Sequence, residues 1–408
     1  MSHIVIIGAG ECGARAAFAL REKSFDGQIT LVGAEEHLPY ERPPLSKDAL
    51  LHGHEPKFVS EATRYTDAGI QVLTGISVES LDSAGKSVRL SNGDKLAYDR
   101  LLLATGARPR PFPGLAGASD RIKTLRTHQD AVSIRAALQP GKHLAVIGGG
   151  FIGLELAATA RKLGAQVTLV EGLPRILTRG VPEPVATVIA ERHRAEGVEI
   201  LCGTKIQGLT EGRDSASILL EDGRTINADM IVVGIGAIPN VELARDAGLA
   251  IDNGIAVDRY LRTSAPDIYA AGDCCSFPLA HYDGRRLRLE AWRNAHDQGN
   301  LAAGNLMGGE EAISAVPWFW SDQYDLTLQI AGMADGAPQT VRRDMADGAF
   351  ILFHLAADGR LLAASGIGTG NAVARDIRLA EMMIAAGVRP DPVALSTPGT
   401  KLKSLLAA

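Results

Sequence analysis

The sequence predicts an α/β protein with two Rossmann-type parallel-sheet domains and a smaller α+β domain at the C-terminal end. Three observations carry that expectation. A unit of strand, glycine-rich turn, helix and strand occurs near residue 4 and again near residue 144. Two further apolar strands, Leu101-Leu102-Leu103-Ala104 and Ile268-Tyr269-Ala270-Ala271, each run into a glycine turn. From about Trp320 the pattern changes to short runs such as Ala349 to Leu355 and Leu361 to Ser365, read as alternating strands, and then a helix from Ala372 to Ala386.

In the first unit Ile4-Val5-Ile6-Ile7 leads into Gly8-Ala9-Gly10-Glu11-Cys12-Gly13, a helical stretch from Ala14 to Leu20 and a strand from Ile29 to Val32. In the second, His143 to Ile147 leads into Gly148-Gly149-Gly150-Phe151-Ile152-Gly153, a helix through Leu163 stopped by Gly164, and the strand Gln166 to Val170. This is the order of a βαβ dinucleotide site. Gly8 and Gly148 permit the tight turn, Gly10 and Gly150 let a pyrophosphate approach the backbone, and Gly13 and Gly153 let helix and strand pack closely. The helix N-terminus then faces the phosphates with free N–H groups.

An acid at the end of the second strand would hold the adenosine ribose. Glu171 closes the strand Val167 to Val170 and takes that place in the second unit. Its carboxylate would repel a ribose 2′-phosphate, which favours NADH over NADPH. In the first unit the strand ends Leu31-Val32-Gly33-Ala34-Glu35, so the contact falls to Ala34 or Glu35.

Composition narrows the function classes. The chain has 408 residues, enough for two or three domains, with 46% hydrophobic and 22% charged residues, as in a globular and not a disordered protein. With 42 bases against 47 acids the net charge is −5, so no broad positive field gathers nucleic acid or an anionic membrane. The N-terminus passes straight into a strand and no apolar run approaches a membrane span, so neither a signal peptide nor a membrane role is expected. Cys12, Cys202, Cys274 and Cys275 contain no CxxC, no metal site is expected, and a reducing cytoplasm is the expected compartment. Two dinucleotide sites in one chain suggest one nucleotide held permanently and one that brings reducing equivalents, FAD and NADH being the obvious pair.

Six strings, GAGECG, YERPPLSK, LATGARPRP, GGGFIGLE, AAGDC and PWFWSDQY, are spread from residue 8 to residue 324. Together they resemble the motifs of FAD-dependent NADH:ferredoxin reductases of the putidaredoxin reductase and dioxygenase ferredoxin reductase type. Rubredoxin reductases and apoptosis-inducing factor are more distant relatives. The resemblance implies a glutathione-reductase-like fold, with an FAD-binding domain over 1–109 and 237–319, an inserted NAD-binding domain over 110–236 and a C-terminal domain over 320–408. It implies transfer of electrons from NADH through FAD to a [2Fe-2S] ferredoxin serving a cytochrome P450 or a ring-hydroxylating oxygenase. A rubredoxin reductase, a reductase of a quinone or monodehydroascorbate, and an NADH-sensing flavoprotein are the alternatives. Oligomeric state is left open.

Site roles follow from the same resemblance. Asp273 accepts hydrogen bonds from the ribityl hydroxyls, and Lys47 lies near flavin N5, paired with Glu155 of the GLE string. Pro43 and Pro44 are read as holding the backbone extended so that Lys47 is aimed. Arg42 and Arg126 contact FAD, where a planar guanidinium suits a pyrophosphate. Trp292 and Trp320 line the flavin, and Cys12 contributes its backbone N–H. Val78, Thr105, Gly106 and Gly236 complete the cofactor-contacting set. Disulfide reductases of this fold pass electrons to a CxxxxC pair; this chain has Leu45-Ser46-Lys47 in the comparable stretch, so electrons leave the flavin directly. From Trp320 onward acids outnumber bases, so ferredoxin docking would rest on a local patch that includes Arg342 and Arg343.

Overall fold

A computed structural model describes residues 2–115 and 119–407. The chain divides into two compact units, each assembled from three stretches. One takes Met1–Arg42, Pro56–Arg108 and Ile238–Ala315; the other takes Pro43–Glu55, Pro109–Ala237 and Val316–Ala408.

Among the described residues, the first unit is built on a five-stranded parallel sheet in the order Ile268–Ala270, Arg100–Leu103, His3–Ile7, Gln28–Val32, Ile70–Leu73. Its strands are continuous apolar runs because both faces are covered; Ile4 to Ile7 are all buried. Helix Glu11–Glu22 turns Ala14, Ala16, Ala17, Phe18 and Leu20 inward. Helix Trp292–Leu306 lies against it, and Gly299 is what allows the approach: a Cβ there would stand 2.6 Å from the Cys12 carbonyl oxygen.

The second unit repeats the plan, with parallel strands in the order Val198–Leu201, Gln166–Val170, His143–Ile147, Met230–Val233, Ile122–Lys123. The antiparallel strands Ile206–Glu211, Ala216–Leu220 and Thr225–Ala228 bury Ile218 and Leu220 against Ile147, Val170 and Ile231. The C-terminal stretch adds an antiparallel sheet in the order Trp318–Gln323, Leu326–Gly332, Leu361–Thr369, Phe350–Leu355, Gln339–Asp344. Helix Ala374–Ala385 packs Ile377, Met383 and Ile384 on Ile351, Phe353 and Leu355 of that sheet.

The structure departs from the sequence expectation at three places. The run ending at Leu355 does not alternate in burial: every residue of Phe350–Leu355 is buried, because the helix covers one face and Phe350, Leu352 and His354 are buried on the other. Pro43–Ser46 forms a 3₁₀ turn, not an extended segment, closed by a hydrogen bond from the Lys47 N–H to the Pro44 carbonyl (3.0 Å). A proline's fixed φ suits the first turn of a helix, where its missing N–H costs nothing. Arg343 is no docking residue. It is 5% exposed and donates to the carbonyls of Leu395, Thr397, Pro398 and Thr400, pinning the C-terminal segment. Arg342 stays at the surface, paired with Asp344 and lying over the Phe350 ring.

Candidate functional site

In the first unit the glycine turn is shaped by two contacts that a side chain would break. Gly8 has φ +113°, in the left-handed region, and a Cβ on it would stand 2.1 Å from the Ala104 carbonyl oxygen. A Cβ on Gly13 would stand 2.0 Å from the Gly8 carbonyl oxygen, so helix and turn touch there. At Gly10, by contrast, no protein atom lies within 4 Å of an added Cβ. Gly10 is the N-cap of helix Glu11–Glu22 and carries no side-chain cap, so N–H groups of the first turn face that open space. Uncapped donors beside room for an anion fit the pyrophosphate of a dinucleotide.

Other predicted residues of this unit gather at the same turn. Gly272, which precedes Asp273, has φ +80°, and a Cβ on it would stand 3.1 Å from Cys12 Cβ, so the Asp273 turn packs on the glycine turn. The Gln298 side chain fixes it by accepting the Gly272 N–H (2.7 Å). Thr105 and Gly106 are locked by Asn240, which donates its side-chain N–H to the Thr105 carbonyl and its backbone N–H to the Gly106 carbonyl. Trp292 opens helix Trp292–Leu306 and stacks on His296 at 5.2 Å. Val78 opens a strand in a separate three-stranded sheet, half-buried opposite Leu90.

Strand register compares the two positions expected to hold a ribose. Val32 pairs with Ile7 as Val170 pairs with Ile147, so Gly33 is the counterpart of Glu171. A Cβ at Gly33 would stand 2.5 Å from that of Ala9, which leaves no room for a side chain. Ala34 is exposed and has no polar side-chain atom. Glu35 accepts hydrogen bonds from Tyr40 Oη and Arg42 Nη2, both at 2.6 Å. Burial pushes its carboxyl up, but the Arg42 guanidinium and these hydrogen bonds outweigh it and hold the group below its usual value. Arg42 is thus tied to Glu35, and Tyr40 is a member of this group that motif reasoning missed.

The second cradle repeats the first. Gly148 has φ +106° with a Cβ position 2.3 Å from the Gly234 carbonyl oxygen, a Cβ on Gly153 would stand 2.2 Å from the Gly148 carbonyl oxygen, and Gly150 opens on empty space. Gly150 is the uncapped N-cap of helix Phe151–Lys162. Glu171 reaches back to this turn and accepts the Gly149 N–H (2.7 Å) and the Leu173 N–H (2.8 Å). Gly236 has φ +109°, is exposed, and its carbonyl accepts the Arg110 N–H. These residues fit a second dinucleotide.

Lys47 and Glu155 meet in the second unit, Nζ to Oε1 at 3.3 Å, with Asp322 at 3.7 Å. Glu155 is 8% exposed, and both its oxygens are engaged: Ser46 Oγ donates to Oε2 and Ser321 Oγ to Oε1, each at 2.6 Å. Lys47 Nζ lies 5.9 Å from the centre of the Trp320 ring, which stacks on Trp318 at 5.4 Å. Arg126 leads into helix His128–Ala137, its N–H held by Asp130 of the Thr127 capping box. Arg42, Asp273 and Trp292 therefore belong to the first unit, and Lys47, Arg126, Glu155 and Trp320 to the second.

A family model described as pyridine nucleotide-disulphide oxidoreductase matches residues 2–299, and one described as reductase C-terminal matches residues 318–406. The chain belongs to the pyridine nucleotide-disulphide oxidoreductase family. The anthranilate 1,2-dioxygenase system ferredoxin–NAD(+) reductase component of Burkholderia cepacia is 43% identical to this oxidoreductase, the alignment covering 98% of each chain. Putidaredoxin reductase of Pseudomonas putida is 39% identical over 100% of this chain and 97% of its own. The solved structure of the covalent putidaredoxin reductase–putidaredoxin complex matches with TM-score 0.94 at 37% identity, covering 100% of this chain and 98% of that one. Like these relatives it is an oxidoreductase, and its cofactors are FAD and NAD(H).

Despite the family's description, this oxidoreductase carries no candidate dithiol. All four cysteines are free. Burial pushes the thiols of Cys12 and Cys275 well above their ordinary value and raises that of Cys274, which suits inert packing groups. Ser46 and Ser321, the two hydroxyl donors to Glu155, carried no expected role, although both stand inside strings already singled out, YERPPLSK and PWFWSDQY. Among the described residues no group of His, Cys, Asp and Glu could hold a metal ion, and no helix is long and apolar enough to cross a membrane.

Proposed function

We propose that the protein is an NADH-dependent reductase of a [2Fe-2S] ferredoxin that serves a cytochrome P450 or ring-hydroxylating oxygenase, acting in the cytoplasm. The observation that carries the reading is the pair of uncapped glycine cradles in a chain that also pairs a half-buried Lys47 with a buried Glu155 and has no dithiol. The chemistry supplied by the two nucleotides is hydride acceptance from NADH at the flavin and release as single electrons, which suits a one-electron iron-sulfur acceptor.

We assign residues 1–109 and 237–319 to FAD and 110–236 to NAD. Gly8, Gly10, Cys12 and Gly13 present backbone N–H groups to the FAD pyrophosphate, Arg42 adds a charged donor and Glu35 takes the ribose. Asp273, fixed by Gln298, accepts from the ribityl chain. Thr105, Gly106, Arg126, Trp292, Trp320 and Val78 shape the rest of the cofactor's surroundings. Gly148, Gly150 and Gly153 receive the NADH pyrophosphate, and Gly236 leaves its path clear. Glu171, already held toward the turn by Gly149, accepts from the adenosine ribose and opposes a 2′-phosphate by like charge. Lys47 places a cation where negative charge develops on flavin reduction, and Glu155 fixes that cation's position. No protein acid or base is required.

The test is anaerobic mixing of the yellow protein with NADH, followed by a panel of [2Fe-2S] ferredoxins. Rapid bleaching by NADH, slow bleaching by NADPH, and reoxidation fastest with one of the ferredoxins are expected. Bleaching followed by reoxidation only with quinone-type acceptors would overturn the assignment of acceptor.

A further inference from the structure

The string PWFWSDQY contributes Trp320 to the reading above, but the structure gives its other polar residues a common destination. Ser321 Oγ donates to Glu155 Oε1 (2.6 Å) and accepts from Gln323 Nε2 (3.1 Å). Gln323 Oε1 lies 2.8 Å from His193 Nε2, and His193 Nδ1 lies 3.4 Å from Tyr324 Oη. With the amide of Gln323 spending its N–H on Ser321, its oxygen must accept, which puts the His193 proton on Nε2 and leaves Nδ1 to accept from Tyr324. The result is a one-directional series, Tyr324 to His193 to Gln323 to Ser321 to Glu155, in which every donor points toward the carboxylate that pairs with Lys47.

This series is sequestered from solvent. Glu155, Ser321, Gln323 and His193 are 8%, 1%, 3% and 0% exposed. Ser46 completes it from the opposite side, donating to Glu155 Oε2, while Thr159, one helical turn beyond Glu155, donates to the Ser46 carbonyl (2.8 Å). Tyr324 is itself held in the left-handed region at φ +59°, its ring edge-on to His193 at 5.0 Å and beneath the Arg192 guanidinium. Arg192 in turn binds Asp325 at 2.8 Å. The hairpin tip of the C-terminal sheet is therefore gripped by helix Glu183–Ala195, and the strand leading into it, Trp318–Gln323, brings Ser321 to helix Phe151–Lys162.

We infer that Ser321, held by Gln323 and His193, is a positioning residue that fixes the Glu155 carboxylate and through it the direction of the Lys47 ammonium. The inference rests on the role proposed above for Lys47 and assigns that residue a partner in the C-terminal sheet. The series orients and does not conduct protons, because the Gln323 amide neither gains nor loses a proton near neutral pH. A carboxylate with one hydroxyl donor could swing about its side chain; with Ser46 on one oxygen and Ser321 on the other, both rotations are stopped. Misplacing a catalytic charge by a fraction of an ångström to one ångström is enough to slow a reaction by one to two orders of magnitude.

The test compares Ser321→Ala, Lys47→Gln and the double variant in the FAD-loaded full chain. Three quantities are read: the limiting rate of flavin bleaching by NADH, the apparent NADH dissociation constant, and the equilibrium midpoint potential of the bound flavin. Ser321→Ala is expected to slow bleaching about tenfold, leave the dissociation constant within about twofold and move the potential in the same negative direction as Lys47→Gln. On the Lys47→Gln background it should add nothing to either change, since the cation it aims is gone. Wild-type rate and potential in Ser321→Ala, or losses that multiply in the double variant, overturn the inference while leaving the role of Lys47 intact. An unaltered Lys47→Gln overturns both. If Ser321→Ala fails to retain flavin, Ser46→Ala, which strips the other oxygen, is judged by the same three readouts.

Discussion

Glu35 and Glu171 are the two acids expected to hold a ribose, and they are presented in different ways. Glu171 stands directly after its strand and is tethered by the backbone of the turn it serves, whereas Glu35 stands two residues further on and is tethered by Tyr40 and Arg42. Glu171→Ala should raise the NADH KM about tenfold, the effect of losing hydrogen bonds to a charged group, and narrow the preference for NADH over NADPH in steady-state assays. An unchanged NADH KM would show that the acid does not meet the ribose. His354 is 5% exposed, and its Nε2 has no hydrogen-bond partner among the described residues. Burial pushes its pKa from 6.5 down to about 4. The unfolded chain takes up this proton near pH 6.5 and the folded one only near pH 4, so folding stability falls as pH drops through that window. The loss amounts to about 3 kcal/mol. His354→Leu should flatten the decline in melting temperature between those pH values; an unaltered slope would mean that other groups govern it.

At the scale of elements, the glycine turns separate what the fold requires from what the cofactor requires. Gly13→Ala places a methyl 2.0 Å from the Gly8 carbonyl oxygen, so helix Glu11–Glu22 must move off its turn. A cost of about 3 kcal/mol is expected, seen as a lower melting temperature even in the flavin-free protein. Gly10→Ala meets no protein atom within 4 Å. It should leave the flavin-free protein's melting temperature nearly unchanged while weakening FAD binding at least tenfold in a titration. Equal effects of the two substitutions would refute the division of roles. These positions were legible in the sequence because a glycine fingerprint followed by a helix and an acid is a local pattern. Arg343 was not, since nothing in its neighbours distinguishes a surface arginine from one that collects four carbonyls some fifty residues away. Arg343→Ala should cost about 3 kcal/mol and expose the segment after Leu395 to limited proteolysis.

For the molecule as a whole, the consequence of the fold is that no unit is a continuous piece of chain. The second unit draws its Lys47 from one stretch, Glu155 from another and Ser321 from a third. A chain ended at residue 315 would strip Phe319 from Phe151, where the rings now sit 4.2 Å apart, and leave Glu155 without one of its donors. Such a protein should bind a hydrophobic dye and melt earlier than the full chain, measured side by side by fluorescence; an unaltered melting curve would show that the unit stands without its C-terminal sheet. The sequence by itself determined the two glycine turns, their order and the place of Glu171 directly after its strand, because each is specified within some thirty neighbouring residues by turn geometry and strand register. Tertiary structure alone decided that the proline-rich segment is a tight turn, that Arg343 is internal and that Glu35 works with Tyr40 and Arg42. It alone also turned the serines of two distant strings onto one carboxylate, since hydrogen bonds between residues more than a hundred positions apart leave no periodicity for a sequence to show.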